Sequence, residues 1–163
     1  MSNIVLIGIM GCGKSTVGKA LAKALQYQFI DADDYLVDKY QMSIPDMFAI
    51  SEDYFRDRES ACLDDFVSKD HSVIAMGGGV IKRAENHPKL KKIGKVIYLD
   101  RPIEDIVNDV DTSGRPLLKD GAEKLYALDK ERRALYEAAA DVQLINDGSV
   151  EDMVAKIKDH WED

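Results

Sequence analysis

Long apolar runs, a basic excess and clustered cysteines are all missing from this chain, and each absence excludes a class of function. The apolar run at Ile4–Met10 is too short to span a bilayer and has no basic segment before it, so neither a membrane anchor nor a secretion signal is expected. Lysine and arginine number 22 against 30 aspartates and glutamates, a formal net charge of −8. A nucleic-acid polymer, which usually meets a basic face, is therefore not the expected partner. Any anionic substrate must find a local cationic pocket inside an acidic shell. Cys12 and Cys62 are the only cysteines, with no C-x-x-C or Cys/His cluster to hold zinc. A reducing, cytoplasmic setting fits that usage. His71, His87 and His160 are scattered and read as solvated surface residues. No repeat, low-complexity tract or linker divides the 163 residues, which are enough for one domain with a sizeable core.

What the chain does have is Gly8-Ile9-Met10-Gly11-Cys12-Gly13-Lys14-Ser15, the G-x-x-x-x-G-K-[ST] phosphate-binding loop. Its glycines let backbone N–H groups turn inward on phosphates. Lys14 then reaches the β and γ oxygens, and the Ser15 hydroxyl offers a Mg²⁺ ligand. Average residue usage would match the four fixed positions by accident in roughly 0.5% of such chains, and the flanks lower that further. Ile4–Ile7 reads as a strand buried on both faces. Val17, Ala20, Leu21, Ala24 and Leu25 share one helical face after the loop. Strand, loop and helix follow in the required order, with the helix N-terminus aimed at the phosphates. Further strands are expected at Gln28–Asp31, Ser72–Met76, Lys95–Asp100 and Asp141–Ile145, each separated by helix-compatible sequence. This is the α/β pattern of a parallel sheet. Pro102 suits the first turn of the helix after the fourth strand, and Ser149 to Asp152 resembles a capping box. Residues 33–68 are too long for a simple crossover and read as two or three helices. Residues 110–122 read as a loop with Gly114 and Gly121 as hinge candidates; such insertions commonly take a second substrate or form a lid.

Three features carry the remaining chemistry. Asp31 and Asp33 follow the second strand, and alternation would turn both toward one cleft; the bland alternative is that Asp33 or Asp34 only caps a helix starting near Tyr35. Gly77-Gly78-Gly79 follows the third strand and presents bare backbone to a ligand. Arg56, Arg115, Arg132 and Arg133 supply planar forks suited to carboxylate or phosphate, although Arg56 could simply pair with Glu52 one helical turn away.

Together these residues resemble the shikimate kinase family over essentially the whole chain. The matching elements are Gly8–Ser15 with Thr16-Val17-Gly18, Phe29-Ile30-Asp31-x-Asp33 and Met42-Ser43-Ile44-Pro45-x-x-Phe48. Phe55-Arg56-x-x-Glu59, Gly77-Gly78-Gly79-Val80, Arg115-Pro116-Leu117-Leu118 and Arg132-x-Ala134-Leu135-Tyr136 complete the set. The resemblance implies a five-stranded parallel sheet of order 2-3-1-4-5 flanked by helices in three layers. It implies one P-loop kinase domain over residues 1–163, with a substrate-binding region at 33–60 and a lid at 110–122. The implied reaction is ATP-dependent phosphorylation of the shikimate 3-hydroxyl with Mg²⁺, in the route to aromatic amino acids, by a monomer. Lys14, Asp33 and Arg115 would be catalytic. Gly11, Cys12, Gly13, Lys14, Ser15 and Thr16 would bind nucleotide, and Ser15 and Asp31 the metal. Asp33, Arg56, Gly77, Gly78, Gly79 and Arg132 would bind substrate.

The chain departs from the family at three places. Cys12 stands where Ala or Ser is usual and Ala134 where Pro is common. Asn108-Asp109 replaces an Arg-Thr pair whose arginine packs on adenine in relatives. The alternatives are a kinase for another small hydroxy acid such as gluconate, a nucleoside-monophosphate kinase, or a non-catalytic nucleotide-binding regulatory module. The carboxylates near Asp33 would repel a second phosphate, and intact Lys14, Ser15, Asp31, Asp33 and Arg115 speak against the module.

Overall fold

The computed structural model describes residues 2–112 and 119–161, with the side chains of 110–112 and 119–120 excepted. Five strands, β1 (Ile4–Ile7), β2 (Gln28–Asp31), β3 (Ser72–Ala75), β4 (Lys95–Asp100) and β5 (Val142–Ile145), pair in the order β2-β3-β1-β4-β5. All pairings are parallel, with Ile4 opposite Val73 on one side and Lys95 on the other. Every residue of β1 is fully buried, as its unbroken apolar run requires, whereas the edge strands β2 and β5 are partly exposed.

The direction of each crossover explains the layers. From β1 the chain passes through α1 (Lys14–Leu25) to β2 on one side of the sheet. From β3 it returns past β1 through α5 (Asn86–Ile93) to β4. Right-handed crossovers travelling in opposite directions place their helices on opposite faces. Accordingly α1 packs on β1, β2 and β3 beside α8 (Val150–Trp161), while α5 packs on β1 and β4 next to α7 (Lys119–Ala139). The direction reverses between β1 and β3, so a crevice opens outside their carboxyl ends. Both glycine-rich loops lie there.

Residues 32–66 form three helices: α2 (Ala32–Tyr40), α3 (Ile44–Ile50) and α4 (Glu52–Phe66). Ser43 caps α3, which carries Pro45 in its first turn, and Ser51 caps α4 through the Tyr54 N–H. The Ser149–Asp152 capping box forms in both directions at α8.

Several expectations need correction. Strands β3 and β5 each run one residue shorter than expected, stopping at Ala75 and starting at Val142. Helix α2 starts at Ala32, three residues before Tyr35, and its cap is Asp31 rather than Asp33 or Asp34. Asp33 therefore sits in a helical turn, and strand alternation does not set its direction. Helix α6 begins at Ile103, leaving Pro102 outside it, where its carbonyl accepts from Asp105 and Ile106. Its missing N–H costs nothing there. Residues 110–122 are not one loop, because α6 runs to Thr112 and α7 starts at Lys119. Gly121 is thus inside a helix, while Gly114 and Arg115 lie outside the described residues. His87 is half-buried and bonds the Ile81 carbonyl at 2.8 Å, so it is not a solvated surface residue. No helix among the described residues is long and apolar enough to cross a membrane.

Candidate active site

The phosphate loop turns on glycines at positive φ, with Gly11 at 81° and Gly13 at 102°. Side chains rarely adopt that backbone. A Cβ at Gly11 would also lie 2.8 Å from Ile106 of α6, so the loop is seated tightly on that helix. Gly13 is the N-cap of α1 and supplies no side-chain cap, and the first turn of α1 contains no acid. The orphan N–H groups and positive helix end are therefore directed to an incoming anion.

Lys14 Nζ lies over the loop, donating to Gly8 O at 2.6 Å and Ile9 O at 3.2 Å. Cys12 is fully buried beneath it, 3.8 Å from Nζ, and burial holds its thiol above the ordinary range despite the ammonium. The Cys12 N–H bonds Ile9 O and its carbonyl accepts from Asn146 Nδ2 at 2.8 Å, so this residue shapes the loop from below.

Ser15 Oγ donates to Asp31 Oδ2 at 3.2 Å, while Asp31 Oδ1 accepts the Asp33 and Asp34 N–H groups. Capping fixes the Asp31 carboxylate and leaves one oxygen beside the hydroxyl. Two hard oxygens at a helix start suit Mg²⁺, which takes one or two protein ligands and completes its octahedron with water and phosphate. Among the described residues no group of three acidic, histidine or cysteine side chains forms a closed metal cage.

The three consecutive glycines after β3 have separate steric duties. A Cβ at Gly77 would lie 2.8 Å from Asp33 Oδ1 and 3.2 Å from Glu59 Oε2. One at Gly78 would stand 3.5 Å from Arg132 and 3.7 Å from the Met10 N of the phosphate loop. One at Gly79 would run into the Arg56 guanidinium. Asp33, Glu59, Arg56 and Arg132 therefore converge on a side-chain-free strip beside the phosphate loop.

Arg56 is only 8% exposed and is held from two sides, by Glu59 Oε1 at 2.8 Å and Glu52 Oε2 at 3.3 Å. Its guanidinium also lies 5.0 Å from the Phe55 ring centre. The Glu52 pairing expected from helical spacing is real, but the buried Glu59 pair is the one that orients the fork. Burial pushes the Glu59 carboxyl up, with Arg56 opposing the shift. Arg132 presents a different state: its Nε is buried with no hydrogen-bond partner among the described residues. An orphaned buried cationic donor is costly unless an anion completes it. Asp33 is pushed above the usual carboxylate range by burial and by the neighbouring Asp31 charge, against the pull of Lys14 and Arg56.

Gly13 and Thr16 face the other side of the loop, in a cleft completed by Arg101, Asp109, Asn146 and Gly148. Arg101 donates to Gly11 O at 3.0 Å and pairs with Asp109 at 2.8 Å. Sequence reasoning overlooked Arg101. Its signal is position, at the carboxyl end of a strand, as for Asp31 and Gly77. Tyr136 was singled out only within a motif, yet its Oη donates to Gly78 O at 2.6 Å and fixes the glycine strip.

Known proteins resemble this chain in sequence and in fold. The family model for shikimate kinase matches residues 10–162. The shikimate kinase of Clostridium botulinum is 44% identical over 157 residues, covering 96% of this chain and 95% of that protein. A shikimate kinase from Acinetobacter baumannii solved in complex with shikimate has a TM-score of 0.87 at 37% identity, over 98% of this chain and 92% of that one. The Aquifex aeolicus shikimate kinase gives 0.84 at 34% identity, over 98% of this chain and 96% of that one. A family model matched over residues 10–162, with relatives of this identity along nearly the full length, makes this chain a member of the shikimate kinase family.

Proposed function

We propose that this chain transfers the γ-phosphoryl group of ATP to the 3-hydroxyl of shikimate, giving ADP and shikimate 3-phosphate. The observation that carries this reading is the convergence of Arg56, Arg132 and Asp33 on the glycine strip beside the phosphate loop. Two guanidinium groups suit the substrate carboxylate, and one carboxylate suits its hydroxyls. The acceptor oxygen bonds to the γ-phosphorus as the bond to the β–γ bridging oxygen breaks. Asp33 takes the hydroxyl proton on its carboxylate, and Lys14 meets charge developing on the transferred group. Ser15 and Asp31 would hold Mg²⁺, which neutralises phosphate charge when bound. Residues 33–60 would form the acceptor-binding region and 110–122 the lid, with Arg115 reaching the phosphoryl group. Arg101 takes the cationic place in the nucleotide cleft where Asn108 offers no guanidinium. A coupled ADP-release assay with shikimate, gluconate and AMP supplied separately tests the reading. Turnover should appear with shikimate; turnover confined to gluconate or AMP would overturn it.

The raised Asp33 carboxyl gives a pH prediction in two parts. As a base it must be ionised, so kcat/KM for shikimate should fall with decreasing pH along a limb above the ordinary carboxylate range. For stability the sign is opposite. Ionising a carboxyl whose folded pKa is raised subtracts stability at pH above that pKa, and the penalty vanishes below the unfolded value. Asp33→Asn should therefore melt higher than wild type near neutral pH, lose that advantage in acid, and turn over about 10²-fold or more slowly. Melting curves against pH and a kcat/KM profile check both signs.

Gly79→Ala tests the glycine strip. Gly79 has φ of −97°, so alanine meets no backbone strain, and the added methyl acts by displacing the Arg56 fork. Shikimate capture should weaken by roughly 10- to 100-fold, as for a misplaced binding group, with ATP binding unchanged. Calorimetric titration of each ligand reads the difference.

A further inference from the structure

Arg133 lies beside the acceptor arginine but points to a separate set of partners. It grips Asp100 end-on, Nη1 to Oδ2 at 2.7 Å and Nη2 to Oδ1 at 3.0 Å, and its Nη2 also reaches Asp129 at 3.2 Å. Gln143 of β5 donates to the same Asp100 carboxylate at 3.0 Å. Asp100 closes β4, and its backbone carbonyl accepts the Asn146 N–H. Burial alone would raise the Asp100 carboxyl, yet the Arg133 and Gln143 bonds hold it below its ordinary value.

Helical geometry gives this clamp a consequence for the site. Asp129 and Arg133 are four residues apart and share one face of α7, while Arg132 and Tyr136 share the adjacent face. Tyr136 packs against Tyr98 of β4 at 5.1 Å and donates to Gly78 O, and Arg132 stands over that glycine. Packing of the buried Leu125, Tyr136 and Ala139 sets the rotation of α7 coarsely, and polar contacts beside that stripe narrow it further. A bidentate fork onto a strand end fixes rotation and translation together. We propose that Arg133 is a positioning residue for acceptor binding: by locking α7 to Asp100, it sets the rotation that aims Arg132 at the substrate carboxylate. This rests on the shikimate reading above.

Arg133→Lys keeps the charge but loses the fork. It should raise KM for shikimate about 3- to 30-fold, in the range of coupling through a positioning contact, while KM for ATP stays within about twofold. The decisive measurement is a double-mutant cycle with Arg132→Ala. If Arg133 acts through Arg132, adding Arg133→Lys to Arg132→Ala should leave KM for shikimate unchanged. A merely structural role would add its full loss in both backgrounds, or weaken ATP and shikimate equally; either result overturns the proposal. Asp129→Asn loosens the same clamp without unpairing Asp100. It should give a smaller shift of the same kind, and it carries the cycle if Arg133→Lys does not fold. A wild type inactive on shikimate would overturn function and inference together, whereas additive losses in an active enzyme overturn the inference alone.

Discussion

Lys14→Met is expected to lower turnover by at least about 10²–10³-fold, the usual cost of deleting a group aimed at developing charge. The fold should survive. Nζ contributes two hydrogen bonds to loop carbonyls at a partly exposed position, Gly8 O and Ile9 O, worth about 1 kcal/mol each in stability. Methionine retains the aliphatic stem that packs along the loop. Single-turnover kinetics with saturating ATP and shikimate, alongside melting curves, separate the two effects. Near-wild-type turnover would remove the phosphate loop from the chemistry.

The second large effect separates two arginines that the sequence treats alike. Truncating either Arg56 or Arg132 to alanine should weaken shikimate binding by about 2–5 kcal/mol, because a desolvated carboxylate loses a charged partner. ATP binding should stay near wild type in both. Stability should distinguish them. Arg56 neutralises Glu59, whose side chain is only 8% exposed, so Arg56→Ala leaves a buried carboxylate unpaired. That loss is typically about 3–5 kcal/mol for a buried pair, less whatever Glu59 recovers by taking up a proton. Because burial already raises the Glu59 carboxyl, the variant should regain stability as pH falls and Glu59 protonates. The Arg132 Nε is buried with no hydrogen-bond partner among the described residues, so removing it takes away a donor that is not satisfied there. Its side chain also bonds the Tyr136 hydroxyl, so Arg132→Ala should cost some stability, but less than Arg56→Ala. A large destabilisation in Arg132→Ala, or equal losses for ATP and shikimate in either variant, would count against these roles.

Motifs with a local mechanism were readable directly. The octapeptide Gly8–Ser15 can do its work only with glycine torsions and a following helix, and both are encoded within twenty residues. Apolar runs of strand length separated by helical periodicity likewise give parallel βαβ units. The errors arose where local signals compete. Asp31, Asp33 and Asp34 are all good caps, and three acids in four residues do not say which one caps. The first-turn N–H groups settle it in favour of Asp31. Gly121 looked like a hinge because glycine is a poor helix former, yet α7 runs through it, as packing commonly overrides propensity.

By itself, the sequence determined the fold class, the phosphate loop and the group of residues proposed to meet the acceptor. Each of these depends on short-range periodicity, torsion or motif spacing. Only the tertiary structure decided how the arginines divide their work. Glu59 holds Arg56, Asp100 holds Arg133, the Arg132 Nε has no partner among the described residues, and Arg101 lines the cleft beside the phosphate loop. The Arg133 and Arg101 assignments depend on contacts between residues far apart in the chain. An arginine's long side chain can reach several carboxylates, and burial together with the positions of the neighbouring elements selects among them.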